Sequence, residues 1–241
     1  MNFLLIGYGK MGQTIEQILK ERGHNIAGII DKDNASDLDT IDPASVDVAI
    51  EFTQPSVAYE NIKKCLDKGI RVVSGTTGWL EQKEVVESTT KENKTAFFYA
   101  SNYSLGVNIF FELNKKLAKM MSAFNAEYKS SMVEIHHTQK LDAPSGTAIT
   151  LAEGVIENFE GVDKWTLQGE DEAVDNGIEI EAVREPEVPG THEVSYTSEI
   201  DRIDIKHTAF TRKGFALGAV LAGEWLHQKE GIFGMQDMLA L

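Results

Sequence analysis

One cysteine in 241 residues, Cys65, excludes an internal disulfide framework and fits a reducing, cytoplasmic setting. It shares helical spacing with Ala58, Ile62 and Leu66, so it reads as a core thiol and not as a nucleophile. No run approaches the roughly 18 apolar residues that a membrane helix needs. The run Phe3 to Ile6 is too short for a signal-peptide core and meets glycines at once. Positive charge is also scarce. Twenty-three Lys and Arg against 38 Asp and Glu give a formal net charge of -15, which argues against a nucleic-acid or membrane partner. The deficit is sharpest between Glu153 and Asp204, where sixteen acids face three basic residues, and its plain reading is solubility. Internal repeats and low-complexity linkers are missing too. What remains, 42% hydrophobic and 25% charged, is ordinary globular composition for one large or two small domains.

The first hundred residues alternate strand and helix signals. Apolar runs at Asn2 to Ile6, Ile26 to Ile30, Val46 to Phe52, Val72-Val73 and Ala96 to Ala100 read as strands. Between them, Ile15, Ile18 and Leu19 keep helical spacing up to Gly23, and Pro55-Ser56 opens a helix reaching Lys68-Gly69. Such alternation predicts an α/β domain, a parallel sheet with helices on both faces. Beyond about Ser130 the grammar changes. Lys129 to His136, Gly177 to Val183, His192 to Tyr196 and Arg202 to His207 read as strands of a mostly antiparallel or mixed sheet. One helix starts near Ser145, and another runs from Phe215 to His227. The expected organisation is a first domain of residues 1–104 and 213–241 with an α+β domain, 105–212, inserted into it.

Gly7-Tyr8-Gly9-Lys10-Met11-Gly12 follows a strand, opens a helix, and has Asp31 about 20 residues on at the end of the second strand. That context makes it a Rossmann dinucleotide fingerprint, with the pyrophosphate at the helix start and Asp31 on the adenosine ribose. Asp31 favours NADH, while Lys32 offers a cation to the extra phosphate of NADPH, so both cofactors stay open. Gly75-Thr76-Thr77 and Ala100-Ser101-Asn102-Tyr103 each end a strand at the same sheet edge, where a nicotinamide ring could lie close to small residues.

Residues 134 to 147, EIHHTQKLDAPSGT, gather titratable and turn-forming groups. A metal site fits poorly. Adjacent residues of a strand point to opposite faces, Lys140 would repel a cation, and His192 and His207 stand isolated on strand-like segments. Anion binding fits better. Ser145 can cap a helix whose Gly146 and Thr147 amides face a carboxylate or phosphate, and Lys140 adds positive charge. His136 and His137 can change protonation near neutral pH. Beside a nicotinamide domain, this describes a reductase whose anionic substrate gains a proton as well as a hydride.

Glu134-Ile135-His136-His137 followed by Lys140-x-Asp142-Ala143-Pro144-Ser145-Gly146-Thr147-Ala148 closely resembles the signature of the dihydrodipicolinate reductase (4-hydroxy-tetrahydrodipicolinate reductase) family. The resemblance spans the chain through Gly75-Thr76-Thr77-Gly78, Asn102-Tyr103-Ser104-x-Gly106 and His207-x-Ala209-x-x-Arg212-x-x-Phe215-x-x-Gly218-Ala219. It implies hydride transfer from NADH or NADPH to a cyclic dicarboxylate imine on the diaminopimelate route to lysine. By the same resemblance His136 is the acid–base histidine and Lys140 a proton donor or substrate-polarising cation. His137, Gly146 and Thr147 then hold the substrate carboxylates, and the second domain's sheet builds a homotetramer. Where the family has Arg-Gly-Gly, this chain reads Arg184-Glu185-Pro186-Glu187, ahead of Val188-Pro189-Gly190-x-His192, which makes that backbone less free. The segment after Asp31 is short as well. Two other readings remain, namely another aspartate-family reductase and a nucleotide-sensing regulator without chemistry. The intact His136, Lys140, Gly146 and Thr147 set argues against the regulator.

Overall fold

A computed structural model of the chain describes residues 1–169, 175–211 and 213–241, so Arg212 of the terminal motif lies outside the described residues. The chain divides into two compact units, Met1–Leu105 with Lys213–Leu241, and Gly106–Arg212. In order, the first stretch runs β1 (Asn2–Ile6), α1 (Lys10–Glu21), β2 (Asn25–Ile30), the short α2 (Asp37–Thr40), β3 (Val48–Glu51), α3 (Pro55–Asp67), β4 (Arg71–Ser74), α4 (Lys83–Glu92) and β5 (Ala96–Tyr99). Next come α5 (Leu105–Met121), β6 (Lys129–His136), α6 (Gly146–Ile156), β7 (Lys164–Leu167), β8 (Gly177–Arg184), β9 (Gly190–Thr197) and β10 (Arg202–Ala209). The chain closes with α7 (Lys213–Leu226), β11 (Gly231–Phe233) and α8 (Met235–Leu239).

Among the described residues of the first unit, the strands pair in the order β11-β5-β4-β3-β1-β2, every pair parallel. The period of a strand explains its two cores. Phe3 and Leu5 enter one cluster with Ile15, Leu19, Val220 and Leu226, so α1 and α7 cover that face. Leu4 and Ile6 enter the other with Ala58, Ile62, Cys65 and Val86, so α3 and α4 cover the opposite face. The sheet is doubly wound, a Rossmann-like arrangement in which ligands bind at the carboxyl ends of the strands. Cys65 is wholly buried and its thiol is pushed up to about 12 by that burial, the state of a core residue. Helix α7 packs with small residues. A Cβ on Gly223 would stand 2.7 Å from the Phe3 ring, so the helix lies close against β1. Truncating buried Leu226 to Ala would cost about 2–5 kcal/mol.

In the second unit the described strands pair in the order β10-β9-β6-β8-β7. The β10·β9 and β9·β6 pairs are antiparallel, and the β6·β8 and β8·β7 pairs are parallel. The sheet is therefore mixed. Met132, Ile178, Ile180, Val194 and Tyr196 point to one face and pack with α5 and α6 through Phe110, Ala118, Leu151 and Val155. Residues 83–92 and 105–121 are helices that the sequence reading leaves unassigned. α4 hides its period behind β-branched Val85, Val86, Thr89 and Thr90. α5 buries a polar Asn114 within its apolar stripe, where its side-chain amide donates to the Leu151 carbonyl at 2.8 Å. Among the described residues no helix is long and apolar enough to cross a membrane.

Candidate active site

The chain leaves β1 at Gly7, whose N–H donates to the Ile30 carbonyl at 2.8 Å. Its φ is +93°, and a Cβ there would lie 2.0 Å from the Phe52 carbonyl oxygen. A Cβ on Gly12 would lie 2.1 Å from the Gly7 oxygen, so packing alone dictates both glycines. Gly9 differs. No atom stands within 4 Å of the Cβ it would carry, and it begins α1 with no side-chain cap. The amides of Lys10 and Met11 are thus open to an anion, with the helix dipole behind them. This is the opening a dinucleotide's diphosphate requires, and the residues present fit it. On the neighbouring strand Asp31 follows Ile30, half-buried, its N–H donated to Asn34 Oδ1 at 2.7 Å. Exposed Lys32 begins the next turn.

Met11 also lines a cleft of about 260 Å³ with Phe52, Thr53, Pro55, Gly75, Thr76 and Thr77. Its wall is held from beneath by Glu51, the last residue of β3 and wholly buried. Of the strand-end residues at this edge, Ala100 is buried and Ser101 exposed, and Asn102 Oδ1 accepts the Ser104 N–H at 2.9 Å. Tyr103 turns its side chain away from this edge. Its ring is buried in the core and its hydroxyl donates to the Ser74 carbonyl at 2.7 Å, so only its backbone is left to meet a cofactor. A Cβ on Gly218 of α7 would stand 1.7 Å from the Tyr103 carbonyl oxygen, which accounts for that glycine.

In the second unit the site is built on the end of β6 and the start of α6. His136 is the last residue of β6 and is buried, while His137 lies in the turn that follows. The Lys140 N–H closes this turn on the His137 carbonyl at 3.0 Å. The Lys140 ammonium is paired with Asp142 at 2.6 Å, which holds the Asp142 carboxyl below the usual range. A cis Ala143–Pro144 bond precedes Ser145, whose Oγ accepts the Ala148 N–H at 3.1 Å. That cap leaves the Gly146 and Thr147 amides without an acceptor among the described residues. No atom lies within 4 Å of a Cβ built on Gly146, so an anion can approach the backbone. His137 lines a groove of about 350 Å³ with Thr138, Gln139, Pro186, Glu187 and Pro189.

Beneath this turn lies Glu134, fully buried and given no role by the sequence reading. Both its oxygens accept the Ser145 N–H, at 3.1 and 3.2 Å, and Oε1 accepts Arg184 Nη2 at 3.2 Å. Its Oε2 stands 3.4 Å from His136 Nδ1 and 3.7 Å from His192 Nε2. Burial alone would raise this carboxyl, but His136 and Ser145 outweigh it and hold it down to about 2. His192 is not isolated, contrary to the sequence reading. The strand register sets Glu134 beside His192 and His192 beside His207, and neither pairing can be read from spacing along the chain. His192 Nε2 also lies 3.1 Å from Ser145 Oγ, and its ring meets His136 edge-on at 5.0 Å. Burial, with the charge of His136, pushes His192 down to about 4, so it is neutral at neutral pH. The ligating atoms of Glu134, His136 and His192 lie within 4.8 Å of one another. However, the Arg184 guanidinium and the Ser145 amide already donate to the carboxylate, which leaves it tied to the protein's own groups.

Family models describing the N-terminus and the C-terminus of dihydrodipicolinate reductase match residues 1–103 and 106–239. The chain is 52% identical, over all of its 241 residues and 98% of the other protein, to a 4-hydroxy-tetrahydrodipicolinate reductase of Christiangramia forsetii. It is 37% identical over 213 residues to one of Methanosarcina acetivorans, covering 86% of this chain and 79% of that protein. Among solved structures, a dipicolinate-bound dihydrodipicolinate reductase from Paenisporosarcina sp. TG-14 shares the fold, with a TM-score of 0.73 at 24% identity over 98% of each chain. With both units matched and a full-length relative above half identity, this chain belongs to the dihydrodipicolinate reductase family of oxidoreductases.

Proposed function

We propose that the chain reduces 4-hydroxy-tetrahydrodipicolinate to tetrahydrodipicolinate with NADH or NADPH, in the diaminopimelate route to lysine. The observation that carries this reading is the Ser145-capped start of α6, with its Gly146 and Thr147 amides open and His136 and Lys140 on the same short connection. Bound NADH or NADPH supplies the hydride, and Gly7, Gly9, Lys10, Met11, Gly12, Asp31 and Lys32 would hold its diphosphate and ribose. The Gly75-Thr76-Thr77 and Ala100-Ser101-Asn102-Tyr103 turns would border its nicotinamide. The remaining work falls to the second unit.

The Gly146 and Thr147 amides and His137 bind the substrate carboxylates, helped by the dipole of an 11-residue helix. Lys140 draws the same carboxylates and delivers a proton to the ring as hydride arrives, leaving Asp142 as its resting partner. Glu134 faces the Nδ1 side of His136, which orients the ring and leaves Nε2 for proton exchange. The enzyme acts in the cytoplasm as a homotetramer formed through the face of the second sheet that α5 and α6 leave uncovered. Oxidation of NADH and NADPH should follow addition of the condensation product of pyruvate and aspartate semialdehyde. Absence of turnover with either cofactor would overturn the reading, and a concentration-independent monomer by light scattering would overturn the tetramer.

A further inference from the structure

Glu51 is a wholly buried carboxylate that the proposed chemistry does not use. It ends β3, the strand beside β1 and hence beside the glycine loop. Its four partners are neutral. Oε1 accepts the Thr53 N–H at 3.0 Å, the Thr53 hydroxyl at 2.5 Å and the Thr76 hydroxyl at 2.8 Å. Oε2 accepts the Ser74 hydroxyl at 2.6 Å. The Thr76 hydroxyl in turn accepts the Thr53 N–H at 2.8 Å, closing a ring of hydrogen bonds between the ends of β3 and β4.

Burying a carboxylate is costly unless every lone pair is met, so a fold keeps one only where its hydrogen bonds have a use. Stability alone explains this one poorly, since apolar residues would close the same strand ends at lower desolvation cost. What the carboxylate does fix is the relative position of two turns. Phe52, Thr53, Gly75 and Thr76, which follow the paired ends of β3 and β4, line the cleft that also contains Met11. With its hydroxyl engaged on Glu51 and Thr53, Thr76 holds one rotamer. Its carbonyl is likewise taken, by Trp79 Nε1 at 2.7 Å. The Phe52 ring fills the space over Gly75, where a Cβ would meet Cε1 at 2.1 Å. The wall is therefore set before any ligand arrives.

We infer that Glu51 is a positioning residue for the nicotinamide half of the cofactor, acting through Thr53 and Thr76 and touching no ligand itself. The inference rests on the proposed reading that the nicotinamide lies at this edge of the sheet. A preformed wall lowers the ordering cost of binding, so its loss should appear in affinity for the ring and in kcat. It should not appear in affinity for the adenosine and diphosphate portion, which Gly9 and Asp31 would hold.

The test titrates Glu51→Ala, Glu51→Gln and the intact protein with NADH by fluorescence, and with ADP-ribose, which lacks the nicotinamide, by competition. Glu51→Ala should weaken NADH about tenfold or more while ADP-ribose changes less than about twofold. Glu51→Gln retains an acceptor for Thr53 and Thr76, and should recover most of the loss in both NADH affinity and kcat. Ser74→Ala removes one donor without creating a large cavity. If Glu51→Ala does not fold, this variant carries the test, with a loss of about two- to fourfold for NADH only. Equal losses for NADH and ADP-ribose, or no loss of either, would overturn the inference while leaving the proposed cofactor intact. Failure of the unaltered protein to bind either ligand would instead sink the cofactor reading on which the inference depends.

Discussion

Helices α1 and α6 both leave first-turn amides open, but Gly9 leaves that turn bare whereas Ser145 caps it. At α1 the cap is a residue with no side chain, and the free amides suit a ligand that carries more than one negative charge. At α6 the Ser145 hydroxyl takes the Ala148 amide and Glu134 takes the Ser145 amide, so only the next two amides remain for a carboxylate. The comparison separates two ways of making an anion site. One strips the helix start of side chains, and the other spends polar groups to fix a few amides rigidly. Glu134, by holding Ser145, gives the second kind its precision.

The largest effect that would test this division comes from the proton donors. Lys140→Ala should lower kcat about 10²- to 10⁴-fold and raise the substrate KM, because one cation serves binding and proton transfer. His136→Ala should act chiefly on kcat. NADH affinity should stay within a few-fold for both, since the residues proposed to hold it, Gly7 to Gly12 and Asp31, belong to the other unit. Near-normal turnover in Lys140→Ala, or loss of NADH binding in its place, would show that the second helix start is not the chemical one.

A smaller effect concerns acid. The folded-state value of His192 is depressed from 6.5 to about 4, so its contribution is present above 6.5 and lost as pH falls toward 4. Glu134 is depressed from 4.5 to about 2, so its contribution is present above 4.5 and lost as pH falls toward 2. Each should remove stability on the order of 3 kcal/mol on acidification. Thermal unfolding across that range should show the loss, and Glu134→Gln should flatten the lower part of it. An unchanged acid limb would detach Glu134 from the site.

Smaller again is a crossed pair. Gly9→Ala and Gly146→Ala each place a methyl group in open space, so both variants should keep their folding temperature. The first should weaken NADH about tenfold, near 1.4 kcal/mol, and the second should raise substrate KM by a similar factor. Either variant affecting both ligands would blur the distinction between the helix starts. Least of all, Lys32→Ala should weaken NADPH more than NADH, by no more than about tenfold. Equal losses would mean that Lys32 does not reach the extra phosphate.

Much of the fold was legible because local patterns and final structure agree. β6 was read to its exact ends, Ser145 caps the helix it was expected to cap, and the glycine loop sits between β1 and α1. What stayed hidden depends on register. Glu134 reads as one more polar strand residue until β9 brings His192 beside it. Glu51 likewise gains meaning only when β4 sets Ser74 beside it. The departure at Arg184-Glu185-Pro186-Glu187 has a definite backbone outcome. Glu187 takes a φ of +63°, the left-handed region that costs a side-chain-bearing residue about 1–2 kcal/mol. The signal was in the sequence, since the family's pattern there is rich in glycine.

Helix α7 closes one face of the first sheet, yet it is encoded after the whole of the second unit. On a ribosome the strands β1 to β5 are therefore complete while Ala219, Val220 and Leu226 are still unmade. At about 5–20 residues per second, the intervening stretch takes roughly 5–20 s to emerge. For that interval Phe3, Leu5, Ile50 and Phe98 line a surface without its natural cover. The nucleotide-binding half, first to be translated, is thus the last to become sealed, and a message truncated before residue 213 yields a chain with that apolar face exposed.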